Sequence, residues 1–402
     1  RLLHAAQLLA LLAVVGLAAL AWRLDQGPLV LPRLVEELAA QANRHIAPLR
    51  LEIGEAALVW QWFRHGADRP LEIRASDLAV YAVDGRRVAL VPQVNLSLSL
   101  RALAGGRIAP RSLLVQGASV RALRREDGSL AVDFSGGGSP EPTAGAPPGR
   151  PADFAWLLRA LAQPPGEVAE GQAGLLSQVR RLRLRDIDVV VQDQALGLRW
   201  RAHKLELDLT RQGEGGVEGT AALELAAGGQ VLPVSGRLSL PAAGRKRDAA
   251  LDVAATLDSV VPADFAALAP AFAPLAAVQA PVTLTATAEL GADLVPRHGR
   301  LLARMAAGRL HIARGSIPVS GGRAVIEGTR EEMRLDLQRL ELPGPADGSP
   351  TIVTGTASLR PQAGMLAATL DLRLDQVGFA HLATLWPDGV GGPGAKPWIR
   401  KS

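Results

Sequence analysis

Aliphatic and polar residues alternate with a period of two over long stretches of this chain. Val94, Leu96, Leu98 and Leu100 alternate with Asn95, Ser97 and Ser99. Ala368, Leu370, Leu372 and Leu374 alternate with Thr369, Asp371, Arg373 and Asp375. Leu205, Leu207 and Leu209 enclose Glu206 and Asp208, and Leu223 and Leu225 flank Glu224. Successive side chains of a strand point to opposite faces, so this spacing puts aliphatics on one face of a sheet and polar groups on the other. It predicts strands over 49–60, 71–81, 88–100, 112–123 and 130–134. They resume at Val179, run to Asp258, and recur at 282–290, 300–306, 324–327, 333–342, 352–359 and 366–375. Asp84-Gly85 and Asp127-Gly128 lie between consecutive strands, the chemistry of tight hairpins, which points to an antiparallel meander.

Four segments break the pattern. Ala5 to Trp22 is apolar apart from Gln7, with Arg1 and His4 before it and Arg23 after it. About 20 apolar residues span a bilayer core, so this stretch is long enough for a membrane anchor, with Trp22 and Arg23 at the interface. Ala19-Leu20-Ala21 also resembles a signal-peptide cleavage site, the competing reading. The chain begins with Arg, so further residues are expected upstream. Leu34, Val35, Leu38, Ala39 and Ala42 form a helical stripe over 31–43, with Pro32 in its first turn. Ser135 to Ala152 has almost nothing apolar to bury and reads as a disordered insertion, followed by a short helix at 153–162.

The fourth break is a Pro-broken helical piece, Pro262 to Ala277. It recurs at Gly378 to Pro387, each copy following an aspartate-ended strand, Leu257-Asp258 and Leu374-Asp375. The interval from Phe265 to Phe379 exceeds the roughly 20–50 residues of solenoid units, so it is a block of meander rather than a solenoid repeat. Five parts are expected: an anchor at 1–24, a helix and first sheet segment at 25–134, an insertion with a short helix at 135–178, a repeated sheet segment at 179–375, and the start of a further repeat at 376–402, where the chain is expected to break off.

Composition narrows what the sheet contains. Nearly half of the 402 residues are apolar, but only seven Trp, six Phe and one Tyr are present, so the apolar surface is built from Leu, Val, Ile and Ala. The net charge of +5 comes almost wholly from arginines spread singly along strands, a solvated face rather than a nucleic-acid surface. With no cysteine, disulfides, thiolate metal sites and cysteine nucleophiles are excluded.

Catalytic chemistry is sought and not found. Gly389-Val390-Gly391-Gly392-Pro393-Gly394 matches the dinucleotide-binding spacing in letters, but no strand leads into it and Pro393 forbids the turn into a helix. His4, His45, His65, His203, His298, His311 and His381 never fall at metal-ligand spacing. His298 or His311 with a carboxylate stays open as an alternative to a plain exposed histidine. Asp186 and Asp188, two apart, could seat a cation or serve acid–base work, against the plainer reading of an outward polar row. Trp60, Trp62 and Phe63 read as a packing knot at a strand end or a lipid-interface contact. No cofactor is expected, and the chain reads as a non-enzyme.

The N-terminal anchor and amphipathic helix are followed by the strand Leu51–Val59 leading to Trp60-Gln61-Trp62-Phe63, then Ala75-Ser76-Asp77-Leu78 and Arg183-Leu184-Arg185-Asp186-Ile187-Asp188-Val189. This order of elements resembles the YhdP-like branch of the AsmA-like protein superfamily. Leu385-Trp386-Pro387 with Lys396-Pro397-Trp398 resembles the repeat junction of that family; Ser135–Ala152 falls outside the pattern. The resemblance covers most of the chain, and members are much longer. It implies a single-pass protein of the bacterial inner membrane with its bulk in the periplasm, where a long β-groove conducts phospholipid toward the outer membrane. It carries no catalytic residues.

The expected fold is therefore mainly β: an N-terminal transmembrane helix, then a long curled antiparallel sheet forming an open groove, with short interrupting helices. Candidate groove residues are Leu96, Leu98, Leu207, Leu223, Leu335 and Leu372, expected to contribute to an unbroken aliphatic row across strands. Expected partners are phospholipids and the inner membrane, with outer-membrane or periplasmic proteins as further candidates and no nucleic acid. The alternative is a periplasmic scaffold or assembly factor for outer-membrane proteins acting by protein contacts.

Overall fold

The structure is a computed structural model. It describes residues 50–60, 71–81, 87–99, 110–124, 130–133, 178–242 and 251–375 with short breaks, together with isolated positions between 22 and 43 and Gly85. The anchor stretch up to Ala21, Trp62, Phe63, the 135–152 insertion, the 153–162 helix and the second helical marker at 378–387 lie outside the described residues. Among the described residues no helix is long and apolar enough to cross a membrane.

The protein is mainly β. Its strands are β1 (Leu29–Val30), β2 (Arg50–Glu52), β3 (Glu55–Trp60), β4 (Leu71–Tyr81), β5 (Arg87–Leu98), β6 (Pro110–Gln116), β7 (Ser119–Arg124), β8 (Leu130–Asp133), β9 (Arg181–Asp193), β10 (Leu198–Arg211) and β11 (Val217–Ala227). They continue as β12 (Gln230–Leu240), β13 (Leu251–Val260), β14 (Val278–Gln279), β15 (Val282–Leu290), β16 (Pro296–Met305), β17 (Gly308–Ile312), β18 (Gly315–Val319), β19 (Gly321–Gly328), β20 (Met333–Leu342), β21 (Thr351–Gln362) and β22 (Met365–Leu374). The expected strand at 282–290 matches β15 residue for residue.

Two compact units divide the chain, one taking 1–191, 202–221 and 241–245, the other 192–201, 222–240 and 246–402. In the first, β1, β3, β4, β5 and β6 pair antiparallel in turn. β6 then pairs with β9 in parallel, Ser112 opposite Arg181 through Gln116 opposite Arg185. This corrects the expectation of a purely antiparallel sheet. Parallel neighbours need a long connection, and the chain between β6 and β9, which includes the β7–β8 hairpin, supplies it. Asn43 ties a helical residue to this sheet: its amide donates to the Leu51 carbonyl at 3.1 Å, and its side-chain oxygen accepts from the Leu51 N–H at 2.6 Å.

The second unit contains an eight-strand antiparallel run, β12–β13–β15–β16–β19–β20–β21–β22. Each strand pairs with the next in this order. A separate ribbon, β14–β17–β18, interrupts the sequence order without joining that run. The helical piece between β13 and β14 is two 3₁₀ segments, Pro262–Phe265 and Pro270–Ala277. Prolines at 262, 270 and 274 remove amide donors and shorten any α-helical ladder, leaving the tighter turn. Phe272 of this piece lies 6.2 Å from Trp200, ring centre to ring centre, with the planes tilted by 54°.

Four non-glycine residues inside strands have left-handed backbone: Asp77, Asp186, Lys204 and Ser259. At Ser259 the pairing with β15 slips, two steps on β13 being lost against one on its neighbour. Such bulges bend a strand and re-aim the side chains that follow.

Candidate functional site

Cross-strand register turns the alternation of single strands into continuous rows. In the eight-strand run, Val234, Leu257, Leu284, Ala303, Ala324, Leu337, Gly355 and Leu372 are partners in succession. Two residues along lies a second row, Gly236, Ala255, Ala286, Leu301, Ile326, Leu335, Ala357 and Leu370. A third follows from Leu238 through Val253, Ala288, Gly299, Gly328, Met333 and Leu359 to Ala368. No charged or hydroxyl side chain stands in any of the three. Of the two intervening rows on the other face, one reads Arg237, Ala254, Thr287, Arg300, Glu327, Arg334, Ser358 and Thr369. The other reads Ser235, Thr256, Thr285, Leu302, Val325, Asp336, Thr356 and Asp371, with Val325 buried.

Burial decides whether this apolar face is a core. A face packed under a second sheet would have its large aliphatics sealed from water. Leu257, Leu284, Leu301, Ile326, Leu335 and Leu337 are only partly buried. Met333 and Leu372 are exposed, at 41% and 48%. The face is covered only at its margins. At one, past the third row on β12 and β13, Leu240 and Leu251 are buried at 4% and 9%. At the opposite margin Val260, Val282, Met305, Gly322, Leu340, Val353 and Leu374 form a fourth row. Ile317 and Val319 of the β14–β17–β18 ribbon pack on part of it, in a cluster with Ala280, Leu342, Val353, Met305, Leu337 and Leu340.

The first unit repeats the rows but not the openness, since Ala56, Ile73 and Ala75 are buried there. Leu29, Leu58, Ile73, Leu96, Leu113 and Leu182 are successive partners across β1, β3, β4, β5, β6 and β9. Beside it run Ala56, Ala75, Val94, Val115 and Leu184. The opposite face carries Arg74, Asn95, Leu114 and Arg183 in register, and Glu72, Ser97, Ser112 and Arg181. Ser112 and Ser97 hydroxyls are 2.8 Å apart. Arg181 holds Asp208 through two hydrogen bonds, one of 2.8 Å from Nε. The hydrogen bond from Arg181 keeps the Asp208 carboxyl below the usual carboxylate range, against a smaller opposing effect of burial and with Coulombic help from Arg181, Arg183 and Arg185. Burial alone lowers the Arg211 guanidinium.

The expected residues fall as follows. Leu96 sits in the first unit's central row, and Leu98, at 4% exposure, is a core position rather than a groove-lining one. Leu207 and Leu223 are partly buried on β10 and β11. Leu335 and Leu372 share one face but belong to adjacent rows. Trp22 and Arg23 are helical and exposed, Trp22 at 68%. Asp186 and Asp188 do not form a paired row, since Asp186 takes the left-handed backbone and Asp188 meets His203 Nδ1 at 3.0 Å. His298 stands opposite Glu289 in the ladder, and His311 lies exposed on the outer side of the ribbon. Among the described residues no group of three or more His, Cys, Asp or Glu could hold a metal ion. The ribbon was missed by the sequence reading. Its signal is the short alternation Gly308-Arg309-Leu310-His311-Ile312 and Ser316-Ile317-Pro318-Val319.

No protein family, curated protein or solved structure matches this chain.

Proposed function

We propose that this is a membrane-anchored periplasmic protein whose apolar sheet face forms a groove that binds and conducts phospholipid between the inner and outer membranes. The observation that carries this reading is the set of three charge-free rows across eight strands, whose described members are all left partly or fully open. Exposed apolar surface of that extent is far from the norm for soluble proteins and marks a binding surface. Its chemistry selects for saturated or branched hydrocarbon, because it offers neither hydrogen-bond partners nor aromatic stacking. Each methylene removed from water contributes about 0.8 kcal/mol. Neighbouring strands are about 4.8 Å apart, so a chain moving from one strand to the next exchanges one aliphatic contact for a similar one. Exposed Trp22 and Arg23 suit an interface anchor, with the apolar stretch before them as the span.

Mass spectrometry of the detergent-extracted protein tests the reading. Co-purifying phospholipid, and crosslinking of lipid to a photoreactive residue at Leu335, are the expected results. Protein free of phospholipid with no crosslink at Leu335 overturns the proposal. The second reading, a scaffold for outer-membrane proteins, draws on β22, the last described strand of the run, which exposes Leu372 and Leu374 at 48% and 43%. Photocrosslinks at Leu372 to protein, with none to lipid, favour it.

A further inference from the structure

The ribbon β14–β17–β18 already occupies part of the apolar face, and it does so with one side. Val278, Leu310 and Ile317 are register partners across its three strands. Ile317 and Val319 are buried against Leu342 and Val353, with Leu310 beside them. Gln279, Arg309, His311, Ser316 and Pro318 are exposed on its other side. Backbone hydrogen bonds hold the connections at its ends: Ala306 N–H donates to Pro281 O at 2.8 Å, joining the links to β16 and β15, and Ser320 N–H, just after β18, donates to Glu341 O of β20 at 2.8 Å. Ala280 is fully buried beneath it.

The opposite margin, over β16, β19 and β20, differs in kind. Gly299, Gly328 and Met333 are the third row's members on these strands. Pro296, Arg297, His298, Thr329 and Glu332 are exposed beyond it. The face thus has a closed hydrocarbon margin and an open polar one on the same strands. From the Ala303–Leu337 row to the Gly299–Met333 row is four residues along β16, about 13 Å at about 3.3 Å per residue. Half of the roughly 30 Å hydrocarbon core of a bilayer is about 15 Å. One layer of acyl chain therefore fits across the open strip, crosswise to the direction of the rows.

We propose that the ribbon is a fixed side wall that orients bound phospholipid, with acyl ends abutting it and polar head groups leaving by the Gly299–Gly328–Met333 margin. This rests on the reading of the face as a lipid surface. It also follows from continuity: the wall's own occupants, Ile317 and Val319, show that this surface takes aliphatic groups. A lipid lying the other way would press its head group against Ile317 and Val319 and leave its acyl ends among Arg297, His298 and Glu332.

Two phosphatidylethanolamine photoprobes added to the full chain test this, one with a diazirine at the acyl terminus and one with it next to the glycerol. The terminal probe is expected to label Leu337 and the ribbon, and the glycerol-proximal probe Leu301 and Met333. Equal or reversed labelling overturns the side wall while leaving lipid binding intact. Absence of labelling by both probes overturns the lipid reading itself. Gly308→Val displaces the wall, because a Cβ at Gly308 would meet Ala280 Cα and Gln279 O at 2.6 Å. With tryptic cleavage at Arg309 reporting displacement, the variant is expected to lose the polarity of labelling but not the labelling. Ile317→Ala, a milder change, is expected to shift the terminal probe toward Met305 and Leu340. Polarity that persists in a variant whose Arg309 is freely cleaved overturns the proposal.

Discussion

Gly355 stands next to Leu372 in the first apolar row, where the neighbouring strand leaves no room for a side chain. A Cβ there would meet the Asp371 carbonyl and, at 2.6 Å, Leu372 Cδ2. Gly355→Ala is expected to lower stability by about 1–3 kcal/mol through overpacking, read as a drop in urea midpoint at unchanged slope. In the first unit, the Arg181–Asp208 pair is two-thirds buried at best, so its worth is that of a partly exposed bridge, about 0.2–1 kcal/mol. The Asp208 carboxyl is lowered in the folded chain. Its contribution is thus complete above the ordinary carboxylate pKa of about 3.9 and is lost as pH falls through the lowered value. Asp208→Asn is expected to flatten the acid limb of the stability profile, and a double-mutant cycle with Arg181→Gln isolates the pair. His203 beside Asp188 lies on an exposed surface.

Strand β20 shows how one element serves two purposes. Leu335 belongs to an open row, and Leu340 packs beneath the ribbon. Leu335→Glu is expected to leave the thermal midpoint nearly unchanged, since its new carboxylate stays wet. The loss of affinity for phospholipid is expected to lie between about tenfold and about a hundredfold, as removal of one Leu contact of about 1.5–3 kcal/mol implies. Leu340→Glu puts a charge under Ile317 and Val319 and is expected to unfold the ribbon end of the unit, seen as rapid amide exchange over β17 and β18. A Leu335 variant as unstable as the Leu340 variant argues that the face is a covered core. The same strand marks how far the sequence was legible. Alternation identified β20 and its two faces from Met333 to Leu342. It did not reveal that Leu335 faces Ala357 while Leu337 faces Gly355, because register depends on the partner strand and on bulges such as that between Leu337 and Leu340. The ribbon was hidden for another reason: its strands are only two, five and five residues long, and Pro318 demotes the last of them. Pro318 is tolerated because it is exposed on the outer side.

At the scale of the whole molecule, what was legible was the class of fold and the chemistry of the surface. Period-two patterning with few aromatics implied sheets faced with Leu, Val, Ile and Ala, and the rows consist of those residues together with glycine and methionine. The parallel junction between β6 and β9 was not legible, since nothing in either strand states its neighbour's direction. That junction has a consequence in time. Pairs within the eight-strand run join strands that follow one another closely, as β15 with β16 or β21 with β22. Ser112 and Arg181 are brought together only after the whole intervening chain has been drawn into a loop. Loop closure is an entropy to be overcome before the pairing returns any stability, and non-local strand pairs form slowly. Pulse-labelled amide exchange during refolding is expected to protect β15, β16, β20 and β21 early and β6 against β9 last. Until that last step, the row from Leu29 to Leu113 ends at β6 with an unpaired edge. A newly made chain therefore spends its most adhesive interval with that edge exposed.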